Sequence, residues 1–158
     1  MPHSFNKIWI HAVWSTKERQ PLIPRAAEIK IHNFLREELI ELGFPVRIIN
    51  GMPDHIHSLF LLNPQKSVAE VIKYVKGITS HSINDQNLIS KKFSWQTGYA
   101  AYSVSESQLE RVFQHIKIKS NITTRKHFCR NMMNWHCTAL LIISLPFLLI
   151  DHGLNRGL

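Results

Sequence analysis

An α+β domain with a four-stranded antiparallel sheet is what this 158-residue sequence predicts, and three observations carry that reading. Segments rich in β-branched and aromatic residues interleave with segments of helical apolar spacing, in the order β-α-β-β-α-β followed by one more helix. A chain of this length holds about one domain, burying roughly two-thirds of its unfolded surface around a single core. Apolar residues make up 44% and charged residues 19%, with 6 Gly and 7 Pro, which excludes a disordered, collagen-like or low-complexity chain.

Residues 5–15 hold Ile8, Trp9, Ile10, Val13 and Trp14 and end in the charged stretch Thr16-Lys17-Glu18-Arg19, a strand followed by a loop. Pro24 opens a segment in which Ile31, Phe34, Leu35, Leu39 and Leu42 recur at helical spacing, and Gly43 stands where a C-terminal cap belongs. Residues 44–50 and 55–62 flank Gly51-Met52-Pro53-Asp54, which makes them an antiparallel pair joined by a short turn. Ser67 to Glu70 fits a capping box, and Val68, Val71, Ile72 and Val75 supply the stripe of a second helix running to Gly77 or a little beyond. Lys73 and Lys76 read as its polar face. Residues 84–92 are a polar connection, and residues 95–104 form a fourth strand with an irregularity at Gly98. A second box, Ser105 to Gln108, starts a third helix on Leu109, Val112, Phe113 and Ile116. This order is the ferredoxin-like split βαβ unit, two helices covering one face of the sheet. The fold alone assigns no chemistry.

Nineteen Lys and Arg against 11 Asp and Glu give a net charge of +8 and a pI near 9.8, which favours an anionic partner such as nucleic acid. Cys129 and Cys137 supply no disulfide framework, and the N-terminus has no basic region leading into an apolar segment, so a reducing cytoplasm is expected. The longest apolar run, residues 139–150, is broken by Ser144 and Pro146 and falls short of the ~20 residues that span a bilayer. No membrane association is expected.

His55 and His57 stand two apart on a predicted strand, so both imidazoles share one face while Ile56 points into the core. Such a pair can share a divalent ion able to polarise a phosphodiester oxygen. The surrounding stretch, Asn50-Gly51-Met52-Pro53-Asp54-His55-Ile56-His57-Ser58-Leu59, resembles the HUH motif of the small single-tyrosine transposases, the REP-associated type included, which mobilise the shortest bacterial insertion sequences. Three other pieces match in order: His11-Ala12-Val13-Trp14-Ser15-Thr16-Lys17, Val75-Lys76-Gly77, and Phe93-Ser94-Trp95-Gln96-Thr97-Gly98-Tyr99 running on to Phe113.

The resemblance covers about residues 5–117, within a domain placed at 5–120, and implies an RRM-like domain that acts as a homodimer on single-stranded DNA hairpins at element ends, at the bacterial nucleoid. It implies that His55 and His57 hold Mg or Mn on the scissile phosphate. A helix tyrosine then attacks phosphorus, forming a 5′-phosphotyrosine whose energy is kept for rejoining. It also implies a glutamine one turn later as a third ligand, on a helix that docks against the partner's histidines. Lys17 and Arg19 match a Thr-Lys-x-Arg stretch and are DNA-contact candidates; Trp95 is a core residue with a second possible role in stacking on an unpaired base. His11 is expected near the pair, as a hydrogen-bonded structural histidine or beside the metal.

This copy departs from the pattern on one helix face. The stretch Val112-Phe113-Gln114-His115-Ile116-Lys117-Ile118-Lys119 has His115 at the tyrosine position and Lys119 at the glutamine position, four residues apart. An ammonium has no lone pair for a metal. Residues 121–134 lack an amphipathic period and the apolar run after them has no polar face, so 121–158 form an atypical tail, out of frame if Lys117-Ile118-Lys119 is encoded AAA-ATC-AAA, which read from its third base gives Asn-Gln. The change at His115 needs a separate event. Two functions follow, a metal-dependent DNA strand transferase or a catalytically inactive hairpin-binding relative, and position 115 favours the second for this polypeptide.

Overall fold

The computed structural model describes residues 6–118. Along them run β1 (Trp9–Ser15), α1 (Arg25–Glu41), β2 (Val46–Met52), β3 (His55–Leu61), α2 (Val68–Asp85), β4 (Ala100–Val104) and α3 (Leu109–Lys117). Single 3-10 turns follow β1 at Lys17–Arg19 and precede α3 at Glu106–Gln108. The strands pair antiparallel throughout, in the order β2-β3-β1-β4, which is the expected α+β split unit. The atypical tail and its cysteines lie outside the described residues.

The two central strands are buried from both sides, and that explains why β3, past its histidines and Ser58, continues as the apolar run Leu59-Phe60-Leu61. One face of the sheet presents Ile10, Ala12 and Trp14 of β1 with Ile56 and Phe60 of β3 to α1 and α2, which close it with Ile31, Leu35, Leu39, Val71, Ile72 and Val75. On the other face Leu59 packs against Leu109 and Ile116 of α3, with Trp9, Ile48 and Val104 around them. α3 is therefore on the opposite layer from α1 and α2. β4, at the edge, leaves Ala101, Tyr102 and Ser103 exposed.

Several boundaries move from the sequence reading, each for a local reason. α1 keeps its expected limits: it starts after Pro24 and runs to Glu41, and Gly43 just beyond has a φ of +85°, the left-handed cap conformation that glycine adopts without strain. β2 and β3 run to Met52 and from His55, so only Pro53 and Asp54 form the turn. α2 has its capping box, Ser67 and Glu70 bonding reciprocally, but continues past Gly77 to Asp85 because Thr79 and Ile83 prolong the buried stripe. The second box does not form: Ser105 Oγ bonds Ser107 Oγ at 3.1 Å, and a 3-10 turn leads into α3. β4 is five residues long, and Trp95 joins the sheet only through an isolated bridge to Thr16.

Candidate functional site

Three chain segments converge where β1 ends and the β2–β3 hairpin turns. Thr16, fully buried, donates its N–H to Asp54 O at 2.9 Å and its Oγ1 hydrogen to Gln20 O at 2.5 Å, with Asp54 O also within 3.1 Å. Lys17 N bonds Ser94 O, Gln96 N bonds Ser15 O, both at 2.9 Å, and Glu18 N bonds Gln96 Oε1 at 3.1 Å. Behind them Lys76 of α2 donates to Thr97 O at 2.9 Å and Gly98 O at 3.1 Å. Four motifs spread over the chain are thus one spatial unit. Lys76 is not part of a polar face, as the sequence reading had it: it is buried, and that burial pulls its ammonium down to about 8.

His55 and His57 project from β3 on the face opposite α1 and α2, with ring centroids 5.1 Å apart, while Ile56 is buried on the helix side. Each ring meets a neighbour at Nδ1. His55 Nδ1 lies 2.8 Å from Asp54 Oδ1, and Arg19 Nε stands 3.6 Å from the other oxygen of that carboxylate. His57 Nδ1 lies 3.0 Å from His11 Nε2, the two rings side by side with centroids 5.2 Å apart and 21° between their planes. His11, on the neighbouring β1, is 2% exposed and also faces Tyr102 of β4 at 6.3 Å.

α3 brings the fourth imidazole. His115 stands edge-on to His57, with centroids 6.1 Å apart. Three contacts outside the apolar stripe hold the helix there. Asn50 Nδ2 caps its C-terminal end through Ile116 O at 2.9 Å and Lys117 O at 3.1 Å. A register shift between Val46 and Ile48 accompanies Arg47, which bonds Glu110 at 2.7 Å and lies 5.1 Å over the Phe113 ring. Within the single chain, α3 packs on the chain's own sheet. Asn50, Asp54 and Arg47 were missed as site-building residues. Only Asp54, adjacent to His55 in a turn, carried a signal that could have found it.

The other candidates fall at different distances from the histidines. Lys17 is exposed on the 3-10 turn, and Glu18 and Arg19 there have φ of 55° and 53°, a left-handed conformation costing non-glycine residues about 1–2 kcal/mol each. Trp95 is not brought to the histidine face. It is buried in the helix-side core, its Nε1 donating to Thr79 Oγ1 at 3.0 Å and its ring packed edgewise on Phe93 at 4.7 Å and Trp14 at 6.1 Å. Lys119 lies outside the described residues. Among the described residues no set of three or more His, Cys, Asp or Glu side chains is arranged to hold a metal, and no helix is long and apolar enough to cross a membrane.

Comparison with known proteins follows this geometry. Residues 4–119 match the family model described as transposase IS200-like. The chain is 24% identical over 112 residues to the ISDra2 transposase TnpA of Deinococcus radiodurans, covering 68% of this chain and 80% of that protein. A crystal structure of a candidate transposase from Deinococcus radiodurans R1 superposes with a TM-score of 0.61 at 21% identity, over 75% of this chain and 95% of the other. A REP-associated tyrosine transposase solved with a REP hairpin gives a TM-score of 0.50 at 12% identity, over 75% of this chain and 70% of the other.

Proposed function

The chain belongs to the family of IS200-like transposases, whose business is DNA transposition, and from that premise we propose that it binds single-stranded DNA hairpins at a metal-assisted HUH site with an impaired cleavage step. One observation carries the impairment: the position from which the family's tyrosine would attack is filled by His115, and α3 holds that imidazole beside His57. A phenolate oxygen attacking phosphorus would form the phosphotyrosine bond and release a 3′-hydroxyl. An imidazole can itself be phosphorylated, but it differs from a phenol in shape, reach and protonation, and on that ground we assign His115 no nucleophilic part in the displacement.

The donor set fits a divalent ion in part. Two imidazoles share a face at 5.1 Å between centroids, and Mg or Mn held by them would complete its shell with phosphate and water oxygens. When bound, such an ion polarises a phosphodiester oxygen and offsets charge at phosphorus. The protein's own residues do the rest: the sheet fixes the imidazoles, Lys17 offers an exposed ammonium to a phosphate, and Arg19 reaches both solvent and Asp54. Trp95, being core, is given no base-stacking part. The hairpin in the neighbouring structure and the net charge of +8 support a DNA hairpin as partner. A homodimer in the cytoplasm, associated with the nucleoid, is the setting that reading entails.

The test uses the full chain, Mn²⁺ and end-labelled single-stranded hairpin DNA. A native gel is expected to show a retarded complex, weakened several-fold by Lys17→Ala, and a denaturing gel to show no covalent adduct. An adduct linked to His115 would refute the impaired reading, and absence of any complex would refute hairpin binding. His115→Tyr alone is expected to restore little, because Lys119 stands at the position of the third ligand.

A further inference from the structure

We propose that Asp54 and His11 are positioning residues that set the tautomers of His55 and His57, so that both imidazoles present Nε2 as the lone-pair nitrogen to one cation. The inference rests on the metal-assisted reading above and adds to it the groups that make the pair able to act together.

A neutral imidazole has one N–H and one lone pair, and the partner of one nitrogen decides the role of the other. For His55 the partner is a carboxylate, which only accepts. The 2.8 Å contact therefore places the hydrogen on Nδ1 and the lone pair on Nε2. Asp54 is oriented in turn. Its backbone carbonyl is tied to Thr16, and Arg19 Nε lies 3.6 Å from the carboxylate oxygen that His55 does not use. The paired left-handed residues Glu18 and Arg19 give the turn the shape that returns this guanidinium to the hairpin.

For His57 the partner is another imidazole, and its 3.0 Å bond has two possible senses. We assign the hydrogen to His57 Nδ1, with His11 Nε2 accepting. The reverse sense would put a hydrogen on His57 Nε2 and leave the two ring systems, on one face at 5.1 Å, presenting unlike nitrogens, of which only one could ligate. His11 is placed for that role by the sheet: it is 2% exposed in the central strand and paired across to Leu59 of β3 and Tyr102 of β4. Its ring lies 21° from the plane of His57, an edge-to-edge approach that the sheet register sets and that suits an in-plane N–H···N bond. The two positioning groups thus come from separate elements, a hairpin turn and a neighbouring strand, and act on the same atom of each ring.

Two measurements on the full chain test this. Long-range ¹H–¹⁵N correlation of imidazole-labelled wild-type protein without metal is expected to show the Nδ1–H tautomer for both rings, assigned by loss of signals in His55→Ala and His57→Ala. An Nε2–H pattern for His57 overturns the inference whatever the metal does. Calorimetric titration with Mn²⁺ is expected to show binding about 10–100-fold weaker in Asp54→Ala and in His11→Phe, the latter keeping the ring and deleting the nitrogens. His11→Gln, which restores an acceptor oxygen, is expected to recover most of the loss. Unchanged Mn²⁺ binding in Asp54→Ala and His11→Phe, with binding abolished in His55→Ala, would overturn the positioning roles while keeping the metal reading. A wild type that binds no Mn²⁺ but shows both Nδ1–H tautomers would remove the metal reading and uphold the tautomer assignment.

Discussion

Gly51 shows how narrowly the hairpin constrains a single position. Its φ is unremarkable, and what requires glycine is space: an added Cβ would overlap the carbonyl oxygen of His55 and come within 2.9 Å of Ile56 Cδ1 and 3.1 Å of Ile56 Cα. Two of those obstacles are backbone and cannot rotate away. Gly51→Ala is expected to cost about 2–3 kcal/mol, measured by urea unfolding, and to displace His55 relative to His57. The facing of the histidine pair follows from a period of two, so it was legible from residues 55–57 alone. His11 was expected near that pair too, but which atoms of those rings meet which partners was not legible. His11 is 46 positions from His57 in sequence, and nothing local announces a bond between them. Lys76 was misread because the stripe Val71, Ile72 and Val75 looks complete without it, and only the Thr97–Gly98 carbonyls show why an ammonium can lie in the core margin.

At the scale of elements, α2 and α3 owe their helicity to different causes. α2 is 18 residues long with a reciprocal cap, and its Gly77 faces solvent, where an added Cβ would meet nothing within 4 Å. Gly77→Ala is therefore expected to stabilise the fold by about 0.5–1 kcal/mol, seen as a raised melting temperature. α3 has nine residues, too few to persist alone, and depends on Leu59, Asn50 and Arg47 to hold it against the sheet. Asn50→Ala removes both bonds to its terminal carbonyls and is expected to cost about 1–3 kcal/mol. Hydrogen exchange should then speed up through α3 and remain unchanged in α2; uniform acceleration would show that α3 does not open separately. The stripe of α3 could be read from its spacing, whereas its docking on the far layer of the sheet depends on a β2 side chain that no helical pattern reveals.

For the whole molecule, the pH response follows from two groups on the helix layer. His32 of α1 is lowered to about 4, mainly by burial and further by the Arg36 guanidinium. The unfolded chain takes up this proton near pH 6.5 and the folded one resists to about 4, so the unfolded state binds more protons between those values. Stability from His32 is complete above about pH 6.5 and declines as pH falls towards 4. Lys76, lowered to about 8 from 10.5, acts at the other end: the folded state loses its proton first, so stability rises as pH climbs through that window. Denaturant melts across pH 4–7 should flatten in His32→Gln, and a limb unchanged by that substitution would assign the acid sensitivity elsewhere.

Local pattern determined which segments are strands and helices, their order, and the common face of His55 and His57, because each depends on neighbours a few residues away. Resemblance to the family motif also marked position 115 as a histidine where the motif has tyrosine. Tertiary structure alone decided that His11 bonds His57 through Nε2 and Asp54 bonds His55, that α3 returns His115 to its own sheet, and that Lys76 belongs to the interior. Those contacts join residues separated by long stretches of chain. Strand register and helix crossing set them, and neither is written in any single segment.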